Sequence, residues 1–195
     1  MKMLTKILPA FVLLFAFFTI HAQTVWTIDN AHTVVKFSTT HMVITEIDGE
    51  FKKFTGSILS KNDDFTDAKI DFTIDVASIN TDNEMRDGHL KSDDFFNATK
   101  YPNISFKGIS LKKVSGNKYV LEGDLTIRDV TKRVKFDVVY NGTVKDFKGN
   151  LKAGFKITGT VNRFDYNLKW NSMVDAGPVV GKDVDIVVNL ELAKQ

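Results

Sequence analysis

The sequence predicts an all-β protein, an eight-stranded antiparallel barrel with one short helical insertion. Runs in which apolar and polar residues alternate recur along the chain, placing apolar side chains on one face of each strand. Short turn segments separate these runs, which makes consecutive strands antiparallel neighbours. Finally, the sequence offers no set of helices to cover the apolar faces, so the strands must close into a barrel or stack as two sheets. Eight strands with polar outer faces fit a closed barrel.

The chain has 195 residues, is 43% hydrophobic and 26% charged, and contains no cysteine. That size and balance predict one globular domain. The missing cysteines exclude a disulfide scaffold, thiolate metal sites and a cysteine nucleophile. Residues 1–22 read as a cleaved signal peptide: Lys2 and Lys6 precede the apolar stretch Ile7–Ile20, and Ala22 ends it. The apolar stretch is shorter than the roughly 20 residues that a membrane-spanning helix needs. The expected domain is therefore residues 23–195. Without Lys2 and Lys6 it carries 24 basic and 24 acidic residues. A chain of zero formal charge lacks the basic footprint of a nucleic-acid binder, so nucleic acid is excluded as a partner.

Taken in order, Val25–Ile28 with Thr33–Thr39 form the first strand and Glu50–Leu59 the second. Ala68–Val76 alternates strictly over nine residues and forms the third; Ile104–Val114 forms the fourth. Tyr119–Ile127, Val134–Tyr140, Leu151–Val161 and Val184–Leu192 complete the set. Asp48-Gly49, Lys61–Asp64, Ser115-Gly116-Asn117, Asn141-Gly142 and Lys148-Gly149 are the expected turns. Two segments break the rhythm: Asn80–Tyr101, with a helix expected over Asn83–Lys91, and a long loop, Asn162–Lys182.

Alternation turns Phe72, Ile74, Phe106, Leu125, Phe136, Val138, Phe155, Ile157, Ile186 and Val188 inward. None carries a charge, so a guest among them would be apolar. The same pattern suits side chains that simply pack together at interior density. Candidates for chemistry are sparse. His32, His41 and His89 lack the spacing of a helical metal motif, and no nucleophile elbow, phosphate-binding loop or dinucleotide fingerprint is present. The densest polar segment, Arg86–Phe96, interrupts the strands. There Arg86 and Asp87 would cap the insertion while Phe95 and Phe96 plug a barrel end, or the same residues would form a portal, with Arg86 or His89 near a polar head.

That segment, extended to Phe106 (RDGHLKSDDFFNATKYPNISF), resembles the signature of the YceI-like family of exported bacterial proteins. Ile28–Phe37 with His41, Gly49–Gly56 and Gly123–Lys132 are similar to other stretches of that family, and the likeness runs from about Val25 to the end. It implies a lipocalin-like barrel whose interior holds a long isoprenoid lipid. Phe51, Phe54, Phe72, Phe106, Phe136 and Phe155 then become chain-facing candidates. Phe37, Ile74, Leu125 and Val138 join them, with Phe95 and Phe96 from the insertion; Phe164 and Trp170 in the late loop would close one end. His32, His41, Arg86, Asp87 and His89 fall on the family's polar motif positions. Asp129 and Asn167 stand where the family pattern leads one to expect glycine, and Thr33 where it has serine.

The expected function is that of an exported, periplasmic lipid carrier holding an isoprenoid quinone, prenyl phosphate or related lipid. No other cofactor, no metal and no catalytic residue is assigned. Transient contact with a membrane surface and a monomeric or homodimeric state complete the expectation. The alternatives are a packed barrel serving as an interaction or stress-response module, and an enzyme pairing His89 with Asp87 as acid and base.

Overall fold

The computed structural model describes residues 23–195; the leader expected at residues 1–22 lies outside the described residues. The chain runs β1 (Thr24–Ile28), β2 (Val34–His41), β3 (Thr45–Phe51), β4 (Phe54–Ser60), β5 (Lys69–Asp75), β6 (Ile79–Asn80) and α1 (Glu84–Lys91). It continues through β7 (Asn103–Ser115), β8 (Lys118–Ile127), β9 (Val130–Lys145), β10 (Leu151–Asn162), β11 (Met173–Val174), β12 (Gly177–Pro178) and β13 (Val180–Lys194).

Three of the barrel strands are interrupted. β1 and β2 both pair with β13, β3 and β4 continue one another along them, and β5 and β6 do the same along β4 and β3. The eleven segments therefore form an eight-stranded, all-antiparallel barrel, closed where β13 meets both β10 and the first strand. Each interruption has a local cause. At the first, the Asp29 carboxylate accepts from the Ala31 amide; at the third, Asp75 caps a short 3-10 turn, Val76–Ser78. At the second, the Lys52 and Lys53 amides leave the ladder to bond Ser78.

An up-and-down barrel sends alternate connections to alternate ends. The turn 42–44, the helical insertion, the turn 128–129 and the loop 163–179 share the helix end. Both termini of the described residues, Gln23 and Gln195, and the connections 61–68, 116–117 and 146–150 share the opposite end. The helix begins one residue after its expected start, because the Asn83 side chain accepts from the Arg86 amide and acts as N-cap.

Two expected turns lie inside strands. Asp48-Gly49 sits in β3 opposite Phe37, where a Cβ on Gly49 would fall 2.3 Å from the Phe37 ring; this glycine makes room for an aromatic neighbour. The chain reverses instead at Met42–Ile44, with Met42 and Val43 at φ 51° and 66°. Asn141-Gly142 is a bulge in β9: Gly154 pairs with Gly142 and Phe155 with Tyr140, leaving Asn141 as the extra residue. Of the two positions where glycine was expected, Asn167 adopts the left-handed region at φ 62°, which asparagine tolerates. In the 128–129 turn, Arg128 takes that conformation, at φ 54°.

Candidate functional site

The inward faces line a cavity of about 230 Å³ inside the barrel. Of the thirty-three residues lining it, thirty are apolar; the others are Lys36, Thr39 and Arg163. Lys36 is an exposed residue on the outward alternation of β2, so its ammonium does not face a guest.

Phe37, Phe51, Phe72, Ile74, Phe95, Phe96, Phe106, Leu125, Phe136, Val138 and Phe155 all line the cavity. Phe54, Phe164 and Trp170 do not. Phe54 points inward but is stacked on Phe72, with ring centroids 5.7 Å apart, so Phe72 stands between it and the space. Phe164 lies over the Arg163 guanidinium at 4.3 Å. Trp170 covers Phe95 from outside at 5.5 Å.

The termini end is closed by aromatic packing. Phe65, 1% exposed, reaches in from the 61–68 connection and meets Trp26 and Phe155 at 5.0 Å and Tyr140 at 5.7 Å. Sequence reading misses this residue, because a lone phenylalanine in a polar turn segment carries no periodic signal. Its φ of 60° turns the chain so that the ring faces in.

The helix end is closed by Phe95, Phe96 and Leu90 of the insertion with Leu168 of the late loop, tied together by two arginines. Arg128 donates from Nη1 to the carbonyls of Asp93, Phe95 and Asn167, and from Nη2 to the Asp93 carboxylate at 3.0 Å. Arg163, 4% exposed, donates to the carbonyls of Leu168, Trp170, Val180 and Gly181 at 2.7–3.0 Å. Burial pulls its pKa below the ordinary arginine value. The buried Tyr166 hydroxyl has no hydrogen-bond partner among the described residues, and burial together with the Asp165 charge pushes its pKa up to about 12. Neither Arg163 nor Leu168 stood out in the sequence, since both follow the last regular alternation of β10.

The polar motif positions do not line the cavity. Asp87 is buried and accepts from the Thr81 amide and hydroxyl at 2.9 and 2.6 Å, while Arg86 donates to the Thr81 hydroxyl and carbonyl. These bonds fix the start of the helix to the end of β6. His89 bonds Asp94 at 2.9 Å and packs edge-on against Phe95 and Trp170. Asp87 and His89 therefore have separate partners, and the acid–base pair that the enzyme alternative needs is not assembled. His41 ends β2 at the rim of the helix end.

His32 lies elsewhere, on the outer wall. Its Nδ1 is 3.1 Å from Asp29 and 3.8 Å from Glu191, and ligand atoms of these three residues lie within 4.8 Å of one another. A metal ion would find donors here, but the Lys152 ammonium already reaches Asp29 at 2.6 Å and Glu191 at 3.4 Å and supplies the positive charge. The hydrogen bond from Lys152, then that from His32, holds the Asp29 carboxyl well below the usual carboxylate range.

A closed eight-stranded barrel with an apolar axis is shared by several kinds of protein; sequence comparison separates them. A family model described as the YceI-like domain matches residues 26–192, nearly the whole described chain. The chain belongs to the YceI-like family. Among curated relatives, a UPF0312 protein of Staphylococcus aureus (strain N315) is 38% identical to this YceI-like chain over 173 residues, covering 88% of it and 98% of the relative. The crystal structure of Burkholderia cenocepacia BcnA superposes with a TM-score of 0.72 at 24% identity, covering 84% of this chain and 98% of that one. A polyisoprenoid binding domain from Saccharophagus degradans superposes with a TM-score of 0.67 at 13% identity, covering 87% and 98%. At those identities the two structural likenesses speak for the fold of this YceI-like barrel.

Proposed function

We propose that this YceI-like protein is an exported, periplasmic carrier that holds a polyisoprenoid lipid, of the quinone or prenyl phosphate type, without reacting with it. The observation that carries the reading is the cavity lining. Thirty of its residues are apolar, and the buried guanidinium among them already donates to four backbone carbonyls. Such a lining rewards hydrocarbon burial, at about 0.8 kcal/mol per methylene, and leaves a polar headgroup best placed at a rim. The likeness in fold to the polyisoprenoid binding domain of Saccharophagus degradans supports the same ligand class.

The size of the cavity sets a condition on the guest. A dry apolar cavity of about 150 Å³ suffices for benzene, so one of 230 Å³ admits about one or two isoprene units as the side chains stand. A longer chain requires lining rings to turn aside, and Phe37, Phe106 and Phe136, which lie over Gly49, Gly123 and Gly159, are placed to do so. The packed-barrel alternative has no use for this space.

The test is native mass spectrometry of the protein purified from bacterial cells, with organic extraction of bound material. A ladder of adducts spaced by isoprene units, near one per chain, is the expected result. A mass that stays free of adducts after exposure to prenyl quinones and prenyl phosphates would return the barrel to the packed reading.

A further inference from the structure

The termini end of the barrel carries a feature outside the cavity lining. Phe147, at the tip of the β9–β10 hairpin, is fully exposed, and Val144 on the same hairpin is 67% exposed. A large apolar tip held in water calls for a binding role more than an isolated surface residue does. The tip is held rigidly. Asp146 accepts from the Lys148 and Asn150 amides at 2.8 Å and from the Asn150 side chain at 3.0 Å, while Gly149 takes φ 85°.

Its electrostatic surroundings name the partner. Lys145 and Lys148 flank Phe147, and the β7–β8 hairpin at the same end presents Lys112, Lys113 and Lys118 beside the exposed Val114. These five lysines are exposed, whereas Asp146, the acid of the two tips, has its carboxylate engaged inside its own turn. The neighbouring connection adds Asp63, Asp64 and Asp67; Asp67 is held by Ser60 and the Lys61 and Asn62 amides and Asp64 by Thr66, which leaves Asp63 as the exposed acid facing five lysines. An aromatic tip ringed by lysines fits the boundary between anionic headgroups and acyl chains. The helix end also exposes apolar residues, Ile44 and Met85, but these share their turns with Glu46 and with Asp82 and Glu84, which such a surface repels.

We infer that the Phe147 hairpin and the neighbouring lysine-bearing hairpin form a docking surface for an anionic phospholipid bilayer. The assignment deepens the carrier reading, and rests on it for the purpose of docking: it names the surface from which the barrel would take up or release lipid.

The test is co-sedimentation with vesicles of phosphatidylcholine, with and without phosphatidylglycerol. It uses residues 23–195, within which the barrel is complete, so that the apolar leader cannot itself insert. Binding to the phosphatidylglycerol vesicles alone is expected, weakening as added salt shortens the screening length. Neutralising Lys145 and Lys148 together should lower binding about 30-fold, at about fivefold per lysine. Phe147→Ser should lower it about tenfold or more. Because these side chains are exposed, circular dichroism and the thermal midpoint should not change. No binding to anionic vesicles, or equal binding by the double lysine variant, would overturn the docking surface.

Prenyl-lipid binding, measured on the same variants without vesicles, separates the two ideas. Wild-type protein that binds prenyl lipid but not vesicles overturns the surface alone. Protein that binds vesicles but no prenyl lipid overturns the carrier and leaves the surface standing.

Discussion

Val138 offers the sharpest test of the cavity, because its side chain lines the space and is 3% exposed, while Val139, the next residue, belongs to the outer face. Val138→Phe adds an aromatic ring to the interior. The benzyl group replaces an isopropyl group, a net gain of four carbons, nearly the bulk of one isoprene unit, inside a cavity of about 230 Å³. In a filled core such a change costs about 1–3 kcal/mol in strain. Here the ring enters free space, and the thermal midpoint should move little. The guest, in contrast, loses room for about one isoprene unit. Five carbons at about 0.8 kcal/mol each amount to about 4 kcal/mol, or about a thousandfold in Kd. Titration with a prenyl quinone, followed by native mass spectrometry, measures the change, and Val139→Phe is the matched control that should bind normally. A folded Val138→Phe protein with wild-type affinity would refute the placement of the ligand in this cavity.

Two further predictions concern the scaffold around the site. Arg163→Leu leaves the carbonyls of Leu168, Trp170, Val180 and Gly181 without their donor, and should cost at least about 3 kcal/mol in urea unfolding while exposing the 167–179 loop to proteases; unchanged stability would remove its bracing role. Asp29→Asn tests the outer-wall ion cluster. The folded Asp29 titrates below its unfolded value of about 4, so its stabilisation is complete above that pH and is lost as pH falls through the lower folded value. The gap in thermal midpoint between wild type and Asp29→Asn should be widest near neutral pH and narrow progressively below pH 4; a gap independent of pH would mean that the Lys152 and His32 contacts do not act through charge.

Eight alternating runs and a short helix were readable from the sequence because each depends on local order; the Asn83 cap was not. Side chains two apart share a strand face. The same periodicity turned ten residues inward, all of which line the cavity, and its limits explain what it missed. Phe54, a candidate from the family resemblance, faces the interior, but alternation cannot tell that Phe72 stands in front of it. It also cannot distinguish a glycine that bends the chain from one that accommodates a ring across the sheet, which is why Asp48-Gly49 reads as a turn yet lies in β3 beneath Phe37.

By itself the sequence determined the all-β class, the inward apolar set and, through its motifs, membership of the YceI-like family, since these follow from residue order alone. Tertiary structure decided what closes the barrel and where space remains. Phe65 closes one end because its loop folds back across the axis, and Arg163 and Arg128 close the other by collecting carbonyls from segments distant in the chain. Closure of β13 onto both β10 and the first strand brings these pieces together. A cavity is set by the distance between opposing walls, and that distance is fixed only once the sheet has closed.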